Sequence, residues 1–113
     1  MLRVVYACSG CADLGEVADR VSRSLRKTGF VKTKKNCLTG IGLGIQDFIN
    51  AAKEADEVLA IDGCEVTCAK RTLEKAGIST NSFVLTEMGF VKGGTPHSEA
   101  VVETICRRVI ESF

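Results

Sequence analysis

Short β-branched runs alternate four times with longer stretches of helical periodicity, and this alternation narrows the fold more than any other feature of the chain. Val4-Val5-Tyr6-Ala7 reads as a first strand. Leu14, Val17, Val21 and Leu25 then recur at helical spacing, with Asp13 and Glu16 as an approximate capping box and Gly29 as the stop. A second strand is expected near Lys35–Leu38, with polar and basic flanks, followed by a helix striped by Ile45, Phe48, Ile49 and Ala52. Val58-Leu59-Ala60-Ile61 is an unbroken apolar run, which implies a strand buried on both faces. A helix from about Val66 to Ala76, a fourth strand over Ser82–Thr86 and a last helix striped by Val102, Ile105, Cys106, Val109 and Phe113 complete the pattern. Strands alternating with helices of this length give βαβ units. The expected fold is α/β: a small three-layer sandwich with a parallel four-stranded sheet, order 2-1-3-4, and helices on both faces.

A chain of 113 residues suits a single domain, here residues 1–113, since two cores would leave each half near the lower limit for independent folding. Fifteen Lys and Arg stand against fourteen Asp and Glu, so the near-neutral balance argues against an electrostatic nucleic-acid binder. The run Met1–Cys8 carries one charge, lacks a basic leader and is too short for a signal core or a membrane span. A cytoplasmic setting with no membrane partner is the expectation. There, clustered cysteines serve metals or redox chemistry more often than disulfides.

Cysteine is the unusual residue, with six in the chain. Cys8 and Cys11 follow the first strand, Cys37 the expected second, and Cys64 and Cys68 the third. A parallel sheet gathers all these strand ends on one edge, where open α/β folds bind ligands. In the expected order the 8/11 and 64/68 pairs lie on neighbouring strands, roughly 5 Å apart. Cys8-Ser9-Gly10-Cys11 has the two-residue spacer that lets two thiolates share one ion, and residues 64 and 68 share a helical face. Cys8, Cys11, Cys64 and Cys68 are therefore expected metal ligands for Zn²⁺, with Cys37 as neighbour or substitute. An iron–sulfur cluster would use the same thiolates. A thiol-based enzyme or a sulfur or persulfide carrier is the other alternative, with Cys37 as candidate nucleophile. Cys106, on an apolar stripe, reads as a buried hydrophobe.

The segments Cys8-Ser9-Gly10-Cys11, Cys37-Leu38-Thr39-Gly40-Ile41-Gly42 and Ile61-Asp62-Gly63-Cys64 with Cys68-Ala69-Lys70 resemble the DGC-domain family, for which zinc binding is proposed. The family is named for the Asp-Gly-Cys step, here Asp62-Gly63-Cys64. The resemblance implies a small cysteine-rich, zinc-binding domain, and it implies no particular reaction or substrate.

Other residues on the same edge invite weaker readings. Gly40, Gly42 and Gly44 open the second helix, where bare N–H groups would cradle an anion or, alternatively, permit a tight turn and close packing. Asp62 is expected to support the ligand loop by accepting from its N–H groups, or to serve as an ordinary cap. His97, the sole histidine, is expected on a solvated loop, as is the run Lys32-Thr33-Lys34-Lys35. Thr86-Glu87-Met88-Gly89 is placed to line a pocket. The partner is left open as a small molecule, an anion or a protein.

Overall fold

In the computed structural model, which describes residues 1–113, three strands form a parallel sheet in the order β1-β2-β3. They are β1 (Arg3–Ala7), β2 (Glu57–Asp62) and β3 (Asn81–Val84). Val5 pairs with Leu59, and Asp62 with Val84. The central strand β2 is buried on both faces, as its apolar run requires.

Alternation along the strands sorts the core into two layers. Val5, Leu59 and Ile61 pack against α1 (Asp13–Lys27) and α5 (Glu99–Glu111), through Leu14, Val17, Val21, Ile105 and Val109. Val4, Tyr6, Val58 and Ala60 pack on the opposite side against α2 (Leu38–Gly42), α3 (Gln46–Glu54) and α4 (Cys68–Lys75), through Ile41, Ala52, Ala69 and Leu73. The three-layer α/β arrangement with helices on both faces is present. Cys106 is buried among the first set and its thiol lies 3.7 Å from the Val21 carbonyl oxygen, as a small core residue.

The expected strand near Lys35–Leu38 is absent. Lys35 has a positive φ of 52°, which breaks an extended run, and Cys37 already caps α2. The stretch lacks the alternating apolar side chains that would bury a strand face. It is nevertheless tethered beside β1: Lys32 N–H donates to the Arg3 carbonyl (2.8 Å) and Asn36 Nδ2 to that of Val5 (3.3 Å). The sheet thus has three strands rather than four, β1 is an edge strand, and no reversal of strand order occurs. The three strands that form keep their expected relative order. The helix expected from Val66 starts later, at Cys68, because Thr67 sits in the left-handed region (φ 52°).

Candidate functional site

A cavity of about 720 Å³ opens along the outer side of β1. Its walls are β1, one stripe of α1, the segment from Val31 to Thr39, and the loop after β2. Cys8, Cys37, Cys64 and Cys68 all line it; Cys11 does not, and is exposed. All six cysteines are free thiols.

The loops that carry the two expected cysteine pairs adjoin because β1 and β2 are hydrogen-bonded neighbours. Cys8 N–H donates to the Ile61 carbonyl (3.2 Å), extending the ladder past β1. Gly63 N–H then donates to Cys8 Sγ at 3.1 Å. Burial pushes the Cys8 thiol pKa up; the Gly63 N–H works against that, and the carboxylate of Asp62 adds to it. Gly63 is glycine for a steric reason, since a Cβ there would stand 3.0 Å from the Leu14 backbone.

Asp62 is fully buried and accepts hydrogen bonds from Ala69 N–H (2.8 Å) and Lys70 N–H (3.1 Å). It caps the first turn of α4, on which Cys68 stands, from the end of β2. Thr67 N–H donates to the Cys64 carbonyl (3.0 Å) and tightens the intervening turn. Lys92, from the loop after β3, brings its ammonium to 3.9 Å from Cys64 Sγ.

Cys37 is exposed and caps α2, its Sγ accepting from Gly40 N–H at 3.4 Å. Gly44 N–H donates to the Ile41 carbonyl, and a Cβ on Gly40 would run into the Phe48 ring at 2.7 Å. Gly44 has a φ of 78°, which turns the chain out of α2. These glycines thus serve packing and turning, and none of the three lines the cavity. His97 is half exposed beside Glu16 (3.5 Å), and residues 86–89 stand outside the cavity.

The expected Asp13–Glu16 capping box does not form: Ala12 is the N-cap residue, and Asp13 Oδ1 accepts only from the adjacent Leu14 N–H (2.8 Å) within α1. Glu16 pairs with Arg20 (2.8 Å). Asp13 also accepts from Gly93 N–H (2.8 Å) and Thr95 N–H (3.0 Å), which clasps the loop that carries Lys92.

Four soft donors around one cavity suit a soft or borderline ion in kind and number. In position, no three of the His, Cys, Asp and Glu side chains converge as a metal-holding group. Ligation therefore calls for the loops to draw inward.

Sequence reasoning did not single out the rest of the wall. Asp19, Ser22, Arg23 and Arg26 line the cavity, and so do Lys32 and Thr33 from the run read as a solvated loop. The spacing of the α1 residues, three and four apart, is the signal that would have found them.

No helix is long and apolar enough to cross a membrane. No solved structure matches the chain. A relative from Pseudomonas aeruginosa, the anaerobic and virulence modulator AnvM, is 29% identical over 92 residues, which cover 80% of this chain and 69% of the relative. The model of the DGC domain matches residues 4–109, including the Asp62-Gly63-Cys64 step that joins β2 to the cysteine loop. With that match over nearly its whole length, the chain belongs to the DGC domain family.

Proposed function

We propose that this protein binds a soft metal ion, Zn²⁺ first, through thiolates at the C-terminal edge of its sheet. The observation that carries the reading is that four free cysteines from three loops line one cavity. Cys8, Cys64 and Cys68 would supply three ligands. Cys37, which lines the cavity, is favoured for the fourth over Cys11, which stands outside it. The protein's contribution is positional: Asp62 fixes the helix start under Cys68, and the Gly63 N–H steadies the Cys8 sulfur. Lys92 beside Cys64 offsets part of the negative charge that four thiolates leave on a divalent ion. A relative named as a modulator accords with a binding protein whose loading changes its behaviour.

Elemental analysis of protein purified without added metal should return about one zinc per chain. Cys8→Ser and Cys64→Ser should each lose most of it, because oxygen replaces sulfur poorly in such a set. Full retention of zinc in both variants overturns the reading. A visible absorption band would assign an iron–sulfur cluster instead.

A second reading rests on Cys37. Its thiol is exposed, on the cavity wall, and next to the Gly40 N–H, an arrangement suited to a nucleophile or a persulfide carrier. Labelling of Cys37 by mild alkylation with zinc retained supports this second role, and protection of Cys37 makes it a ligand.

A further inference from the structure

The cavity reaches far beyond its thiols, and two independent rulers measure it. Gly63 and Cys8 lie at the Leu14 end of α1, whereas Arg26 stands twelve residues further on, about 18 Å along the helix axis. Lys32 is anchored to Arg3, five residues before Cys8, about 16 Å away along the strand. The cavity thus runs past Val5, Tyr6 and Ala7 of β1, with thiols at one end and Arg26 and Lys32 at the other.

Charge is unequally shared along it. Four cations line the cavity against one carboxylate, an excess of three in a chain whose net charge is +1. The carboxylate, Asp19, is already paired with Arg23 at 2.8 Å. Arg26 and Lys32 have no ion-pair partner in the protein. Tyr6 of β1 also lines the cavity, and its buried hydroxyl has no hydrogen-bond partner. A buried polar group left unpaired costs stability unless something fills its need. The wall around it mixes aliphatic residues (Val5, Leu14, Val31) with hydroxyls, and Tyr6 is its sole aromatic side chain. That composition does not suit a stacked nucleobase.

We propose that this cavity binds an elongated, largely aliphatic organic anion. Its acidic group sits at Arg26 and Lys32, its body lies along β1 past the Tyr6 hydroxyl, and its far end reaches the thiols. The size falls within the range of small-molecule sites, roughly 300–1,000 Å³. The inference does not depend on a bound metal, because the cations that carry it stand at the end remote from the thiols.

The test uses directed alkylation of the whole reduced chain after metal has been removed by dialysis. The probes are an iodoacetamide bearing an undecanoate chain, the methyl ester of the same reagent, and a shorter hexanoate version. In each, a cysteine thiolate displaces iodide and forms a carbon–sulfur bond. With the carboxylate held at Arg26 and Lys32, the undecanoate reagent should label Cys8, Cys37 or Cys64 with saturation kinetics. It should react about tenfold faster than its ester, a ratio equal to about 1.4 kcal/mol of binding. Free undecanoate should slow the reaction, and the hexanoate reagent should gain less. Arg26→Gln and Lys32→Gln should each remove most of the advantage, and Lys34→Gln, outside the cavity, should keep it. Equal rates for acid and ester, or an advantage unchanged in Arg26→Gln and Lys32→Gln, overturn the proposal. Zinc content, measured separately on the undialysed protein, reports on the metal reading alone.

Discussion

The β1–α1 and β2–α4 loops stand side by side at one sheet edge, and each carries a pair of cysteines, yet they are held in different ways. The second is fastened from within: the buried Asp62 carboxylate takes two backbone N–H groups at the start of α4. The first has no such anchor. The N-cap residue of α1, Ala12, has no side chain that could cap it, and within α1 the Asp13 carboxylate takes only the N–H of Leu14. What steadies it is Gly63 N–H on Cys8 Sγ from the second loop, the Ser9 hydroxyl on Asp19 and Gly10 packed against Gly15 from α1, and the contact from Gly10 N–H to the Cys8 carbonyl within the loop itself. An acidic residue stands near each helix start, but Asp62 gives both its oxygens to one helix, whereas Asp13 takes one N–H of its own helix and two from a distant loop. Asp13 faces outward and clasps the loop at Gly93 and Thr95. A carboxylate's task is set by which unsatisfied N–H groups lie within its reach, and proximity in sequence does not decide it.

The widest break in this comparison should come from Asp62→Ala. Two helix N–H groups would lose a charged acceptor in a site closed to water, a loss of about 3 kcal/mol in urea unfolding. Asp62→Asn keeps one acceptor and should cost roughly half as much. A loss in Asp62→Ala below about 1 kcal/mol would show that packing alone holds the second loop, and the contrast between the loops would dissolve.

Glycine substitution sharpens the same contrast at a smaller scale. A Cβ at Gly63 meets the Leu14 backbone at 3.0 Å, and backbone cannot step aside as a flexible side chain can. Gly63→Ala should destabilise by about 2 kcal/mol through overpacking. A Cβ on Gly10, in the corresponding loop, would meet only the Cys8 carbonyl oxygen, at 4.0 Å, since the side of Gly10 that packs against Gly15 is its backbone. Gly10→Ala should leave the melting temperature almost unchanged. Equal effects at the two glycines would mean that the first loop is packed as tightly as the second.

How much of this is legible in the sequence depends on the range of the interaction involved. The stripes of α1 and α5, the buried β2 run and the Cys106 core position follow from periodicity, and the structure shows them, except that Phe113 lies beyond the end of α5 and is exposed. The strand expected near Lys35 fails because an alternating α/β pattern invites one strand for every helix. Four polar or basic residues in succession, Lys34 to Asn36 with Thr33, supply no face to bury. The thiol edge is legible for Cys8, Cys11, Cys64 and Cys68, which fall between a strand end and the start of the next helix, while Cys37 reaches the cavity without the strand expected before it. The cation end of the cavity is not. It depends on Lys32 being tied to Arg3 across the edge of β1, a contact between residues that no local pattern links. The Asp13 clasp on a loop 80 residues away is the same kind of fact.

That clasp gives the smallest effect and a distinct signature in pH. Hydrogen bonds from Gly93 N–H and then Thr95 N–H, with Leu14 N–H adding to them, hold the Asp13 carboxyl below its ordinary value. A carboxylate whose folded pKa is depressed contributes stability that is fully present above its unfolded pKa, near 3.9. That contribution fades as the pH falls through the lower folded value. At neutral pH, Asp13→Asn should therefore loosen the clasp while the core remains intact. Amide hydrogen exchange at Gly93 and Thr95 should speed up in the variant, with little change at β2 amides such as that of Leu59. The difference between the two proteins should shrink on acidification, because a protonated Asp13 carboxyl and the side-chain amide that replaces it are similar, uncharged acceptors. Since the clasped loop carries Lys92, the same variant should also weaken the contact with Cys64 and leave Asp62 and its helix unaffected. Unchanged exchange at Gly93 and Thr95 near pH 6 would mean that the loop is held by Thr95 and Val91, whose hydroxyl-to-carbonyl contact is 2.8 Å, and that Asp13 is an idle surface acid.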